Sequence, residues 1–407
     1  MRRVVVTGMG GVTALGNAWP QIRAAMEAGR TGIRYMHEWD RLTDLNTRLG
    51  GAIDAFDHED AYPRKKSRSM GRVAVLALKA AEAALDQAGL LDDPVLKAGR
   101  AGVSCGSSFG ATDPVRDFAN FMETGKTGGL NSTSYIRMMS HTTAVNIAIA
   151  LGLTGRVITT SSACTSGSQG VGYAFEAIAH GNADVMLAGG AEQLCPTMAV
   201  VFDTLFATST RHDSPQTASR PYDASRDGLV IGEGSAILVL EELDHALARG
   251  AVPLAEIVGF ATNTDGAHVT QPQAETQAIA MRQALAMAGI SKEQVDFVSG
   301  HGTATEAGDI AESKATSEVY GTTMPFHSLK GHFGHTLGAC GAIEAWLSIS
   351  MMQDGWVPAT ANLSAVDPRC APLDYIMGTP RELKIEHFVS NNFAFGGINT
   401  SLVFRRV

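Results

Sequence analysis

Three short stretches of the sequence place a thiol, imidazoles and an ammonium among small residues that leave room for a substrate. The first is Ser161-Ser162-Ala163-Cys164-Thr165-Ser166-Gly167-Ser168. The β-branched run Val157–Thr160 before it predicts a strand, and Gly170–His180 predicts a buried helix stopped by Gly181. Cys164 therefore falls at a strand-to-helix turn. A helix N-terminus offers unpaired N–H groups and the positive end of its dipole. Both favour a thiolate and stabilise negative charge on a bound oxygen. A free cysteine is ordinarily a small buried apolar residue. Cys105, Cys195 and Cys370 lack this setting, and Cys340, at the start of a helix, reads as packing. His301 lies in Ser299-Gly300-His301-Gly302-Thr303-Ala304-Thr305, after the apolar run Val295–Val298. His335 lies in Lys330-Gly331-His332-Phe333-Gly334-His335-Thr336-Leu337-Gly338-Ala339. Either alone reads as a hydrogen-bonded turn histidine. Together with Cys164 they can accept a proton and donate to a developing oxyanion, the two needs of thioester chemistry. His332 and His335 could also ligate a metal, but no Asp, Glu or Cys accompanies them locally, so no metal site is expected.

Two further features are weaker. Asn391-Asn392-Phe393-Ala394-Phe395-Gly396-Gly397-Ile398-Asn399 reads as a loop able to swing or to pass backbone close to a site, or equally as a turn between strands. Arg64-Lys65-Lys66-Ser67-Arg68, with Arg72 one helical turn on, is a basic cluster in a chain of net charge −9. It reads as a solvated helix start or as a docking patch for an acidic partner. Gly8-Met9-Gly10-Gly11 fails the dinucleotide spacing because Thr13 stands where a third glycine belongs, so nicotinamide binding is not expected.

The elements that must position these groups are those of an α/β protein. The chain has 407 residues, 45% of them hydrophobic, with 44 glycines and only 14 prolines, which suggests tight turns and close backbone approaches. The acidic balance disfavours a nucleic-acid binder. No long uncharged apolar run predicts a membrane span, and the N-terminal apolar run is too short for a signal sequence. Five scattered cysteines without a CxxC pair argue against a disulfide framework and suit a cytoplasmic protein. Strands are expected at Val4–Thr7, before a glycine-rich Gly8–Gly16 loop, and at Gly102–Gly106, Val185–Gly189, Gly234–Leu240 and Ser401–Phe404. A helix is expected over Ala74–Ala88 with Gly89 as its cap. Such alternation argues for parallel strands. Leu85-Asp86-Gln87-Ala88-Gly89-Leu90 is echoed by Leu285-Ala286-Met287-Ala288-Gly289-Ile290, and both halves carry a small-residue turn entering an apolar helix, at Cys164–Ile178 and Gly338–Ile349. A duplication follows, with halves 1–250 and 251–407 meeting near Arg249–Val252.

Taken in order, the Ser-Ala-Cys-Thr-Ser-Gly, His-Gly-Thr-x-Thr and Lys-x-x-x-x-His-x-x-Gly-Ala segments and the closing Phe395-Gly396-Gly397 motif resemble the β-ketoacyl-acyl-carrier-protein synthases. These are the elongating condensing enzymes, with their type II polyketide ketosynthase relatives, and the likeness covers essentially the whole chain. The resemblance implies a thiolase-like fold, with two duplicated α/β halves in five layers (αβαβα) built on two five-stranded mixed sheets. It implies decarboxylative condensation of an acyl-Cys enzyme with malonyl carrier protein, without a cofactor. Cys164 would be the nucleophile, His301 and His335 hydrogen-bond donors, and Lys330 an electrostatic partner supported by Glu344. The N–H groups of Cys164 and Phe395 would form the oxyanion hole, and Phe395, Gly396 and Gly397 the gate. Phe109 and Phe202 would line the acyl pocket. Arg64, Lys65, Lys66, Arg68 and Arg211 would dock acyl- and malonyl-loaded carrier protein. The implied assembly is a homodimer or a heterodimer with a paralogous chain-length-factor-like subunit.

The chain departs from the family pattern at Ile398, at Gly331 and His332, in the Ala304–Asp309 stretch and at Phe109. These departures favour a specialised polyketide or polyene pathway over housekeeping fatty-acid work. A degradative thiolase would need a second catalytic cysteine, and Cys370 lacks the glycine-rich context. A type III synthase would pair cysteine with one histidine and an asparagine such as Asn399, which the His335 segment argues against. A chain-length-factor-like partner would have lost the nucleophile.

Overall fold

The structure, a computed structural model, describes residues 1–53, 56 and 61–407. Eleven strands form one twisted sheet. In chain order they are β1 (Val4–Val12), β2 (Ala101–Gly106), β3 (Val157–Thr160), β4 (Val185–Glu192), β5 (Gly234–Glu242), β6 (Ala255–Thr264), β7 (Phe297–Ser299), β8 (Pro325–His327), β9 (Asp374–Tyr375), β10 (His387–Ala394) and β11 (Ile398–Arg405). Their spatial order is β9-β8-β7-β10-β11-β6-β1-β5-β4-β2-β3. The first five strands run β3-β2-β4-β5-β1. The corresponding strands of the second half run β8-β7-β10-β11-β6, the same order, with β9 added at the edge. The two sheets implied by the resemblance are joined through three residue pairs between β1 and β6, Val4 with Ile257 to Val6 with Ala255.

The helices repeat in the same order. α1 (Arg72–Ala88) and α2 (Thr142–Leu151) cover the outer face of the first half, and α3 (Ser166–Ala179) its inner face. After α4 (Pro196–Asp203), α5 (Ala274–Ala288) and α6 (Glu306–Tyr320) cover the outer face of the second half. α7 (Cys340–Asp354) lies beside α3 in the middle layer. This is the five-layered, duplicated arrangement that the sequence led us to expect. Only Tyr173 and Glu176 of α3 and Gln353 and Asp354 of α7 escape full burial, as a layer between two sheets requires. Among the described residues no helix is long and apolar enough to cross a membrane.

Several expectations need correction. The alternation of strands and helices argued for parallel strands, but the pairing is mixed, as the resemblance implied: β2, β3 and β4 are mutually parallel, as are β7, β8 and β10, while β1, β5, β6 and β11 pair antiparallel. The glycines after Val6 are not a loop but the continuation of β1 to Val12. They are there because α1 lies directly on the strand. A Cβ on Gly8 would sit 2.2 Å from the Ala84 carbonyl oxygen, and one on Gly10 2.3 Å from that of Ala80. The helix after Cys164 starts at Ser166, not Gly170. Asn391–Ala394 belongs to β10, so only the turn before Ile398 is irregular.

Gly10→Ala should therefore lower the unfolding free energy by about 1–3 kcal/mol, the cost of overpacking a close contact. Denaturant melts of wild type and variant measure it. An unchanged midpoint would mean that α1 can move away from β1 at no cost.

Candidate active site

Two short turns set the geometry. Residues Ala163–Thr165 form one helical turn before α3, and Leu337–Ala339 form the corresponding turn before α7. Each begins with a non-glycine residue in the left-handed region, Ala163 at φ 51° and Leu337 at φ 45°. Backbone of this kind persists only where its surroundings impose it, and it clusters at functional sites. Here it turns Cys164 toward the loop that carries His335.

The Cys164 sulfur lies 2.9 Å from His335 Nε2. The Leu337 N–H donates to His335 Nδ1 at 3.2 Å. That bond fixes the tautomer: Nδ1 accepts, so Nε2 carries the proton and points it at the sulfur. His301 is held in the same sense. Lys330 Nζ lies 3.1 Å and Asn392 Nδ2 3.3 Å from its Nδ1, and both are donors. Its Nε2 proton is thus left for the cavity. The two rings meet edge to face with centroids 5.0 Å apart. Two N–H donors and a thiol converge on one volume.

Behind them is a buried ionic network. Lys330 Nζ pairs with Glu344 Oε1, and Asn392 Nδ2 donates to Glu344 Oε2 at 2.6 Å. Burial opposes the Lys330 charge, but Cys340, Glu344 and Glu312 outweigh it and raise its pKa. Burial first, then the Lys330 ammonium, holds His301 and His335 well below the ordinary imidazole range, so both are neutral. Burial also pushes the Cys164 thiol up to about 12, against the pull of Lys330 and of the Phe395 N–H. The helix N-terminus was expected to favour a thiolate. Burial outweighs it, and Cys164 rests as a thiol.

Cys164, His301 and His335 lie close enough together to suggest a metal site. The donors do not suit one, because both Nδ1 atoms are occupied as acceptors and both Nε2 atoms carry protons. His332, the other candidate ligand, has its Nε2 3.1 Å from the Ala359 carbonyl oxygen.

The remaining residues of the sequence reading distribute as follows. Phe395 sits on the turn between β10 and β11, with Gly396 at φ 91° and Gly397 at φ 73°. Its ring packs 5.2 Å from that of Phe202. Both phenylalanines line a cavity of about 450 Å³ with Cys164, His301 and His335. Phe109 is not among the residues lining it and is 37% exposed. Arg64, Lys65 and Arg68 are exposed, whereas Lys66 is engaged by Glu82 at 2.8 Å. Arg211 lies 3.4 Å from Asp227 and donates to the Ser225 carbonyl. Arg72 is no part of a docking patch: it grips the buried Glu233 carboxylate with two 2.7 Å bonds.

Three residues of the site carried no role in the sequence reading. Asn392 joins His301 to Glu344. Its signal is a second amide, beside Asn391, in a strand that is otherwise fit for burial. Cys340 does more than pack, since its thiol donates to the Cys164 carbonyl oxygen at 3.3 Å. Glu192, fully buried at the end of β4, accepts from Ser108 N at 2.8 Å and Gly338 N at 3.1 Å, tying the loops on either side of Cys164. Nothing local in the sequence marks it.

Comparison with known proteins identifies the family. Residues 1–246 match the family described as Beta-ketoacyl synthase, N-terminal domain, and 254–364 match its C-terminal domain. The chain is 38% identical to the 3-oxoacyl-[acyl-carrier-protein] synthase 2 of Vibrio harveyi, over 100% of this chain and 99% of that one. A crystal structure of a beta-ketoacyl synthase from Burkholderia phymatum STM815 is 55% identical and superposes with a TM-score of 0.98, covering 100% of both chains. A ketosynthase solved in complex with its type II acyl-carrier protein is 32% identical, with a TM-score of 0.87 over 100% of this chain and 99% of that one.

The depressed histidines make stability depend on pH. An unfolded imidazole titrates near 6.5 and takes up a proton that the folded site refuses. Their contribution is therefore complete above about pH 7 and is lost as pH falls through that value. Below it, His301→Asn should remove one proton from the dependence, or about 1.4 kcal/mol per pH unit. Denaturant melts between pH 7.5 and 5.5 measure the slope. Equal slopes would show that His301 is protonated in the folded protein.

Proposed function

The chain belongs to the β-ketoacyl synthase family, whose members are acyltransferases that join acyl units through a carbon–carbon bond, and on that premise we propose how its residues divide the work. The reading is a 3-oxoacyl-[acyl-carrier-protein] synthase acting in fatty-acid or specialised polyketide elongation. The observation that supports it best is the thiol of Cys164 facing two imidazoles whose tautomers both present Nε2–H to the same cavity.

In the first stage Cys164 attacks the thioester carbonyl of an acyl group on carrier protein. The C–S bond to the carrier breaks as the C–S bond to Cys164 forms, and the thiol proton leaves with the carrier's sulfur. The N–H groups of Cys164 and Phe395 both favour negative charge on the Cys164 sulfur, and we assign them to the oxygen of the tetrahedral intermediate. In the second stage malonyl carrier protein occupies the cavity. Its carboxylate leaves as carbon dioxide, and the bonding pair becomes an enolate whose oxygen accepts from His301 and His335. The enolate carbon attacks the acyl carbonyl, and the Cys164 thiolate departs and takes a proton from water. Neutral donors suit this step, since an imidazolium at either position would need an acceptor where Lys330 or Leu337 now donates. Lys330 and Glu344 hold His301 in place.

Phe395, on its Gly396-Gly397 hinge and against Phe202, is placed to gate the acyl side of the cavity. Phe202 forms part of that wall, whereas Phe109, exposed and outside the cavity lining, has no place in it. Arg64, Lys65 and Arg68, with Lys66 and Arg211 already engaged, would meet an acidic carrier protein. We divide the chain into halves 1–250 and 251–407, and we take the working unit to be a dimer, either of this chain or with a paralogous subunit. A non-catalytic partner role is disfavoured by the retained Cys164, His301 and His335.

Incubation with a panel of acyl carrier-protein thioesters should add one acyl group to the intact mass of the wild type and none to Cys164→Ala. The variant should still decarboxylate malonyl carrier protein, and Cys164→Ala combined with His301→Ala should do so at least 10-fold more slowly. Acylation that survives in Cys164→Ala would overturn the assignment of the nucleophile.

A further inference from the structure

The mouth of the cavity carries a side chain that the fold itself disfavours. α4 ends with the Ala207 N–H bonded to the Phe202 carbonyl at 3.0 Å and the Phe206 N–H bonded to that of Asp203 at 2.9 Å. This pair of bonds closes a helix through one left-handed residue, and glycine is its usual occupant because it has no Cβ to strain. Here that residue is Phe206, at φ 52°. Its ring is 87% exposed, so it gains nothing from packing. Backbone and side chain alike would be better served by glycine. Folding does not account for Phe206.

Its surroundings suggest what does. Leu205 is 48% exposed, Val201 on the outer face of α4 is 50% exposed, and Val269 is 65% exposed. Phe206, Leu205 and Val269 border the cavity in which Cys164 lies. The charged side chains nearby are largely engaged: Arg226 by Asp309 and Asp367, and Asp227 by Arg211. What the rim offers is an apolar collar. Cys164 is only 4% exposed, so a protein-borne thioester reaches it on a flexible arm while the protein rests on that rim.

Resting on the condensing activity proposed above, we propose that Phe206, with Leu205, Val201 and Val269, docks an apolar helix face of the carrier protein. A carrier must bind and leave twice in each cycle. A small apolar anchor suits such brief contact, and it holds at salt concentrations that screen the exposed arginines and lysines.

Phe206→Gly separates docking from folding, because it should raise the melting temperature. The same variant should lower kcat/KM for acyl carrier-protein substrate about tenfold relative to that for the matching pantetheine thioester, and the gap should persist in 0.5 M sodium chloride. An unchanged ratio would overturn the proposal. An equal loss with both thioesters would make the ring part of the channel wall, and a shift from dimer to monomer in sedimentation would assign the collar to a second copy. Either result overturns carrier docking. If the wild type turns over neither thioester, it is the condensing activity that fails.

Discussion

The buried Lys330–Glu344 pair is the interaction on which the site depends. It is the cation that the catalytic groups share, and its position dictates theirs. Because Nζ donates to His301 Nδ1, the His301 proton must lie on the opposite nitrogen. Because Glu344 holds the ammonium, the lysine remains charged in a place where burial alone would neutralise it. Asn392 closes the arrangement by bonding both Glu344 and His301. A buried ion pair contributes little net stability, and losing one partner strands the other. Its value here is geometric: it sets which atom of His301 faces the cavity.

The duplicated architecture explains how two such different halves come to share one site. The turns before α3 and α7 are equivalent by topology, and the helices leave them side by side in the middle layer. Contact is so close that a Cβ on Gly167 would lie 2.9 Å from the Gly338 carbonyl oxygen, and one on Gly341 2.8 Å from the Ser168 Cβ. Small residues are therefore required in the first turns of both helices, and the two halves differ in their reactive groups within that limit. In the first half the turn carries Cys164. In the second the equivalent position is Gly338, and the imidazole comes from the residues just before it. One pseudo-symmetric contact thus brings a thiol from one side and an N–H donor from the other.

Much of this was legible because chemistry and backbone leave the same signature. Glycine and serine around Cys164, and glycine around His301 and His335, mark both close approach and function. The repeat was readable from two helix ends, closed by Gly89 and Gly289, both left-handed in the structure. What stayed hidden depended on tertiary contact. Gly8 and Gly10 look like a loop until a helix is laid on them. Glu192 looks like any strand end until its carboxylate is seen tying two loops. Arg72 sits in a basic run, yet its partner Glu233 is far along the chain. The resting state of Cys164 was misread because a helix dipole can be inferred from sequence and burial cannot.

That last point bears on how the site handles charge. A thiol, two neutral imidazoles and one fully paired ammonium mean that the groups immediately around Cys164 carry almost no net charge, in a chain of net −9. Every donor is nevertheless oriented for an anion. Under the function proposed above, such a site would stabilise charge only when the substrate generates it, first on the tetrahedral oxygen and then on the enolate, and would spend no reorganisation in doing so. A resting thiolate would instead compete for the same N–H groups that must later meet those oxygens. Burial of Cys164 would thus keep the donors free until a thioester arrives, and in the proposed first stage the step that removes its proton is coupled to the arrival of the carrier's sulfur, which receives it.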